Sequence, residues 1–168
     1  MAATAGKVTG YVGHYDCARH DTGWKHPEHQ GRLPAITRAV YRDMLALHEP
    51  LLEIEARPAS ESDLRLVHTP AHLDAVRRAV ASAAAAGEPV VVAGDTIVSD
   101  ASWGAALAAA GAALTAVEAV LAGTVRNAFA AARPPGHGAG AEAVGGFSLF
   151  NNVAIAARHL RERRGLDR

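Results

Sequence analysis

Apolar residues recur along this 168-residue chain in two alternating kinds of pattern. Short apolar runs at 10–15, 51–55, 66–67, 89–93 and 125–131 are typical of β-strands. The longer segments between them repeat an apolar residue every three or four positions, which is the spacing of an amphipathic helix. Strands that alternate with helices predict a parallel sheet.

The predicted helices have recognisable end signals. Thr69 before a proline is typical of a helix N-cap, and Gly87 is typical of a helix end. The alanine-rich stretch 101–122 carries one charged residue, so we expect its helix to be covered on most sides. Residues 94–100, just before it, are predicted as a loop. The inward positions predicted for the first and last helices are Leu33, Ile36, Val40, Met44, Leu47, Val153, Ala156, Ala157 and Leu160.

Together these elements predict a three-layer α/β fold, with a parallel sheet and helices on both of its faces. No internal repeat or linker divides the chain, so we expect one domain. The last predicted helix ends at Gly165, where the alternation calls for another strand although only three residues remain. We therefore expect a truncated architecture that leaves a strand edge of the sheet exposed.

Charge and cysteine content narrow the function classes. Seventeen basic residues balance seventeen acidic ones, so no overall field attracts nucleic acid or an acidic membrane. The single cysteine, Cys17, excludes an internal disulfide and favours a reducing compartment. No early apolar stretch resembles a signal peptide, and the apolar tracts consist mainly of alanine. We expect a cytoplasmic protein that binds neither nucleic acid nor membrane directly.

Two glycine-rich runs, 133–139 and 145–154, carry the candidate chemistry. Flanking glycines and prolines present His137 in a loop directly after a predicted strand, where a histidine can exchange a proton near neutral pH. The alternative is a loop histidine that caps a carbonyl. Gly146 and Phe147 either form the wall of a narrow slot or belong to an ordinary turn before a core aromatic residue.

Two other sequence features give weaker evidence of function. His14, His20, His26 and His29 lie in one loop, but their irregular spacing favours a solvated polar loop over a metal site. The glycines at 136–146 lack the lysine and the hydroxyl residue of a phosphate-binding loop, so we exclude that function.

Both glycine-rich runs closely resemble the signature of the metal-dependent histone and polyamine deacetylase family, which has the arginase–deacetylase fold. In that family the loop reads Arg-Pro-Pro-Gly-His-His-Ala, and Gly138 stands here in place of the second histidine. Two further motifs, and the helix start within the second run, resemble the family in the same order. They are His-Pro-Glu with Arg-Leu at 26–33, Val-His-Thr-Pro at 67–70 and Asn-Asn-Val-Ala at 151–154.

The resemblance implies that residues 1–168 are the N-terminal part of a single deacetylase-like domain. Its members hydrolyse acetylated lysine or acetylated small amines with a zinc ion. The family's Asp-x-His zinc ligands have no counterpart, because no such triplet occurs in this sequence. We therefore expect the chain alone to be inactive. The alternatives are a non-catalytic interaction module, which associates with itself or a partner through the exposed sheet edge, and a coding sequence that has been cut short.

The resemblance also implies roles for individual residues. His137 corresponds to the catalytic histidine that supports the metal-bound water and the developing oxyanion. Gly146 and Phe147 correspond to residues that line the substrate tunnel. Asp95 corresponds to a rim aspartate that grips the substrate backbone, or else it is a plain turn residue. Arg32 corresponds to an arginine beside the product channel, or else it is a solvated residue at a helix start.

Overall fold

The computed structural model describes residues 8–47 and 51–167, with the side chains of 44–47 excepted. A 3₁₀-helical turn, Tyr15–Arg19, follows the first strand. The strands are β1 (Thr9–Gly13), β2 (Leu51–Glu55), β3 (Val90–Ala93), β4 (Thr96–Val98) and β5 (Asn127–Ala131). The helices are α1 (Arg32–Leu47), α2 (Glu61–Leu64), α3 (Pro70–Ala86), α4 (Ser102–Leu121) and α5 (Asn152–Arg164).

A three-stranded parallel sheet in the order β2-β1-β5 forms the centre of the fold. Tyr11 of β1 lies opposite Glu53 of β2 and Phe129 of β5. Because all three strands run the same way, their carboxyl ends and the loops that follow them lie at one edge, which we call the carboxyl edge. The predicted parallel α/β sheet is confirmed.

Helices cover both faces of this sheet. On one face, Tyr11 hydrogen-bonds Thr37 of α1 through its hydroxyl group at 2.8 Å. On the other face, Val12 is fully buried and packs against Ala112 and Ala116 of α4. Neighbouring residues of a strand point to opposite faces, so β1 joins the two helical layers. The three-layer architecture is therefore as predicted.

Helix α4 is the core helix of the fold, and ten of its twenty residues are buried. Among the described residues it alone is long and apolar enough to cross a membrane by length and composition, and half of that stretch is buried inside the protein. The chain that follows β2 passes very close to α4 at Gly111. A Cβ at this position would lie 1.8 Å from the carbonyl oxygen of Arg57, so the contact requires glycine. In the same place Ala59 donates a backbone hydrogen bond to Leu107, at 2.9 Å.

Three sequence predictions about local structure are wrong. Residues 66–67 form a turn after α2 instead of a strand, since the amides of both donate back to Asp63 and Leu64. The predicted loop 94–100 contains β4, which pairs antiparallel with β3 around a two-residue turn. Strand β3 therefore lies outside the parallel sheet, and Val91 is exposed. An apolar run predicts a strand but does not say which sheet the strand joins.

The inward face predicted for α5 is also wrong in part. Ile155, Ala156 and His159 are buried, whereas Val153 and Ala157 are exposed. The rotation of the helix depends on His159, whose imidazole pairs with Glu118 of α4. The predicted helix ends are confirmed: the Thr69 hydroxyl caps α3, and Gly87 and Gly165 adopt left-handed conformations.

Candidate active site

A buried ion pair joins the loops that follow β1 and β5 at the carboxyl edge. Arg133 donates from Nε to Glu28 Oε1 at 2.6 Å and from Nη2 to Glu28 Oε2 at 2.7 Å. Both side chains are at most 3% exposed. Arg32 begins α1 and donates to the same carboxylate at 3.3 Å, while half of its side chain remains exposed. The predicted product-channel arginine is therefore held by this ion pair.

Phe147 and Asp95 come together through a third residue, His26. The rings of His26 and Phe147 lie 4.8 Å apart in an edge-to-face arrangement. Nε2 of His26 donates to the backbone carbonyl of Asp95 at 2.9 Å, while Nδ1 accepts from the Glu28 amide at 3.1 Å. We call His26, Asp95 and Phe147 the rim cluster. The Asp95 side chain is exposed in the β3–β4 turn.

The loop that carries His137 packs against the start of α5. A Cβ at Gly136 would lie 2.5 Å from the amide nitrogen of Asn152, so only glycine allows this approach. Asn152 donates to the carbonyl of Pro134 at 3.3 Å, and Asn151 donates to the carbonyl of Ala139 at 2.9 Å. His137 itself is exposed in the turn. The two glycine-rich runs thus form one folded unit.

Two stacked histidines of the Val-His-Thr-Pro region hold this unit in place. Nδ1 of His68 donates to the carbonyl of Ala141 at 3.3 Å, and Nε2 accepts from the Asn151 amide at 2.9 Å. Nε2 of His72 donates to the carbonyl of Leu149 at 2.9 Å. Burial, followed by the neighbouring His72, lowers the pKa of His68 to about 4. His68 therefore stays neutral near pH 7, as both of its hydrogen bonds require.

The histidine-rich loop is solvated only in part, so the prediction from its spacing is wrong for His20. His20 is fully buried, and its Nδ1 lies 2.7 Å from the hydroxyl oxygen of Ser102. Burial, and next the charge of Arg133, lowers the pKa of His20 to about 3. Within residues 8–47 and 51–167, no group of three histidine, cysteine, aspartate or glutamate side chains is placed to hold a metal ion. The described residues therefore do not fit a metal centre of their own.

The structure places three of the five predicted residues at the rim cluster, one at the buried ion pair and one in the adjoining turn. Gly146, Phe147 and Asp95 belong to or adjoin the rim cluster, Arg32 lies on the buried ion pair, and His137 lies in the adjoining turn. A nearby cavity of about 490 Å³ is lined by residues of β1, α1 and the 3₁₀ turn, and by none of these five.

The residues that hold the predicted ones in place were not themselves predicted from the sequence. These are His26, Glu28, His68, His72 and Arg133. All except His72 stood inside the quoted motifs, and His72 follows one of them by two positions. A signal for Arg133 existed in its residue type, because an arginine that becomes buried needs a carboxylate partner.

Comparison with known proteins follows the same motifs. A model of the histone deacetylase domain matches residues 26–168. The human polyamine deacetylase HDAC10 is 38% identical over 163 residues, which are 95% of this chain and 24% of that protein. The histone deacetylase HDA1 of Saccharomyces cerevisiae is 32% identical over 146 residues, which are 80% of this chain and 21% of that protein.

A solved structure agrees with these matches. The crystal structure of the HDA15 HD domain superposes with a TM-score of 0.79 at 32% identity, covering 90% of this chain and 42% of that one. The chain therefore spans less than half of this neighbour and about a quarter or less of the two relatives.

Proposed function

The chain belongs to the histone deacetylase family, and from this premise we propose that residues 1–168 form the N-terminal part of one amide-hydrolysing domain. Its substrate is an acetylated lysine peptide or an acetylated small amine. The observation that carries the proposal is the rim cluster, because His26 contacts both Phe147 and the backbone of Asp95, the two residues to which the family resemblance assigns substrate contact. The buried Arg133–Glu28 pair supports it by fixing the two loops that contribute.

Each proposed role uses a property of the residue in its place. His137 supports the attacking water and the developing oxyanion, since it is exposed beside the other glycine-rich run. Phe147 and Gly146 form one wall of the slot for the acyl-amine chain. Asp95 offers an exposed carboxylate that accepts hydrogen bonds from substrate amides. Arg32 attracts the acetate product with a half-exposed guanidinium.

Hydrolysis by this chain alone is proposed to be weak. The family implies a metal cofactor, zinc, whose ligands the described residues do not supply. Gly138, which stands where the family signature has its second histidine, has no side chain. We also propose a reducing location such as the cytoplasm, because Cys17 is a buried free thiol.

Substrate binding tests the proposal directly. Titration of the isotope-labelled chain with Nε-acetyl-lysine or an acetylated diamine should shift the NMR signals of Phe147, His26 and His137. Phe147→Ala should abolish the binding, whereas the matched change Phe129→Ala, at a half-exposed ring of β5, should preserve it. Shifts that survive Phe147→Ala unchanged would contradict the proposed slot.

Catalysis requires a separate measurement. The purified chain, supplied with zinc and a fluorogenic acetyl-lysine peptide, should show little or no turnover. Robust turnover that His137→Ala abolishes would disprove the proposal that this chain alone is inactive, while supporting the role of His137.

An interaction module is the second candidate, and the sheet itself favours it. Among the described strands, β2 and β5 each pair on one side only, and Phe129 of β5 is 50% exposed. Unpaired strand edges next to apolar side chains favour pairing with another chain. Size-exclusion chromatography should then show self-association, and Phe129→Lys should weaken it. A monomer with a cooperative thermal transition would contradict the interaction-module hypothesis.

A further inference from the structure

The backbone of residues 145–146 lies directly against Gly138. A Cβ at Gly138 would lie 2.4 Å from the carbonyl oxygen of Gly145 and 3.0 Å from the Cα of Gly146. Contacts as short as 2.4 Å do not occur for real Cβ atoms, and the atom opposite is backbone. Any side chain at position 138 therefore requires the other run to move.

One hydrogen bond joins the two runs, and three more hold the 145–148 turn in its shape. The Gly138 amide donates to the Ser148 hydroxyl oxygen at 3.2 Å, and that hydroxyl donates to the carbonyl of Gly146 at 3.2 Å. Gly145 and Ser148 exchange two backbone hydrogen bonds, at 3.1 and 2.9 Å. Ser148 is fully buried, so water would not replace these partners without local opening. The approach to Gly138 is thus built into the loop.

The same loop sets the backbone of Phe147. Gly146 and Phe147 have φ values of +54° and +65°, and Phe147 is the only non-glycine residue with positive φ among those described. A bulky residue rarely adopts this conformation, because its Cβ crowds the backbone carbonyl. Surrounding contacts must therefore impose it. The result is the edge-to-face contact of Phe147 with His26.

We propose that Gly138 is the positioning residue of the rim cluster: its lack of a side chain lets the 145–148 loop close and place Phe147 against His26. An effect of Gly138 on substrate specificity rests on the proposed function. Its effect on the position of Phe147 does not. A histidine at 138, as in the family signature, is incompatible with this closed loop. The glycine is thus part of how this chain builds its slot, and replacing it alone does not restore a second histidine to a working site.

NMR spectroscopy of the unmodified 168-residue chain provides the first test. Close contact predicts nuclear Overhauser effects between the α-protons of Gly138 and Gly146, and between the rings of Phe147 and His26. Their absence from a folded chain would overturn the proposal without any variant being made.

Substitution provides the second test. Gly138→Ala and Gly138→His should both abolish the Phe147–His26 effects and change the ring-current shift of His26. The matched control is Gly140→Ala in the same loop, where a Cβ would meet its nearest neighbour, the carbonyl of Ala143, at an ordinary 3.9 Å. Retention of the ring contact in Gly138→Ala would refute the positioning role; its loss in that variant, with retention in the control, would support it.

Ligand binding separates this inference from the proposed function. Where the unmodified chain binds Nε-acetyl-lysine, Gly138→Ala should weaken binding about tenfold while the Gly140→Ala control stays within about twofold. If the unmodified chain binds no acetyl-lysine, the proposed function fails and the ring contacts still decide the role of Gly138. Turnover restored by Gly138→His alone would count against the closed loop.

Discussion

Helix α4 and the loops of the carboxyl edge both bring backbone segments unusually close together, and both use glycine to do so. At Gly111 the neighbouring chain lies against a helix whose surroundings are mostly alanine. At Gly138 the neighbouring chain is another glycine-rich loop, held by hydroxyl, amide and imidazole groups. The first region combines close packing with hydrogen bonds such as that from the Ala59 amide to Leu107, whereas the second also depends on side chains that must keep their charge and protonation state.

This difference affects which of the two regions can supply functional groups. Alanine packing around α4 is repetitive, so it supplies a rigid layer but few distinctive groups. The carboxyl edge concentrates the buried ion pair, the rim cluster and the stacked histidines within connected loops. We infer that changes to α4 act on global stability, whereas changes at the carboxyl edge act on both stability and the site.

Breaking the buried ion pair should have the largest effect. Arg133→Met leaves the Glu28 carboxylate buried without its two-point partner, and we expect a loss of about 3–5 kcal/mol in the free energy of unfolding. The double variant Glu28→Gln with Arg133→Met should lose less than the single one, because no charge is left buried. Chemical denaturation of each variant measures both values.

An exposed pair of the same geometry provides the control. Arg164 also contacts both carboxylate oxygens of Glu118, at 2.8 and 2.7 Å, but half of its side chain is exposed. Arg164→Met should therefore cost much less than Arg133→Met. Equal losses for Arg133→Met and Arg164→Met would show that burial does not distinguish the carboxyl edge.

Gly111→Ala tests the α4 region. The added methyl group would collide with the carbonyl of Arg57, so we expect a loss of about 3 kcal/mol although alanine favours helix. In the same helix, Gly104→Ala meets its nearest atom, on Asp16, at 3.9 Å. That control should gain about 0.5–1 kcal/mol. A destabilised Gly104→Ala would contradict the argument that contact, rather than helix propensity, decides the outcome.

The sequence predicted what is local and repetitive. The ends of α3 follow from Thr69 and Gly87, and the burial of α4 follows from its composition, because both depend on residues close in the chain. The turn at 66–67 and the β3–β4 hairpin are local features that the apolar pattern misread, whereas other wrong predictions depend on distant partners. His20 is buried through Ser102, and the inward face of α5 depends on Glu118, which no local periodicity reveals.

The candidate site shows the same division. Motifs singled out Phe147 and Asp95, but not that His26 would link them. The closeness of Gly138 to Gly145 was equally hidden, because a short glycine-rich run does not specify which backbone will approach it. Side-chain type thus identified candidate residues, whereas three-dimensional packing determined which of them meet.

Acidification is expected to destabilise the carboxyl edge through its buried histidines. The pKa values of His68 and His20 fall from the usual 6.5 to about 4 and about 3 in the folded chain. The unfolded chain therefore binds more protons below pH 6.5, and stability should fall as the pH falls. Each histidine contributes a loss of about 2 kcal/mol between pH 6.5 and 5.

Removal of one titrating group checks this assignment. His68→Gln keeps a donor for Ala141 and an acceptor for the Asn151 amide. Denaturation at pH 6.5 and 5 should therefore show about 2 kcal/mol less acid-induced loss than in the unmodified chain. An unchanged pH dependence would mean that His68 does not govern the acid response of the carboxyl edge.

The smallest expected effect lies where the two regions meet, at the start of α3. The Thr69 hydroxyl accepts from the His72 amide at 3.3 Å and caps α3, the helix that carries His72 and begins two residues after His68. Thr69→Ala should cost about 1 kcal/mol in denaturant unfolding, whereas Thr69→Ser, which keeps the hydroxyl, should cost less. Because the Thr69 backbone amide still donates to Ala141, the pH dependence assigned to His68 should persist in both variants. A loss of more than about 3 kcal/mol, or a changed pH dependence, would show that the cap and the histidines act as one unit, so that α3 belongs energetically to the carboxyl edge.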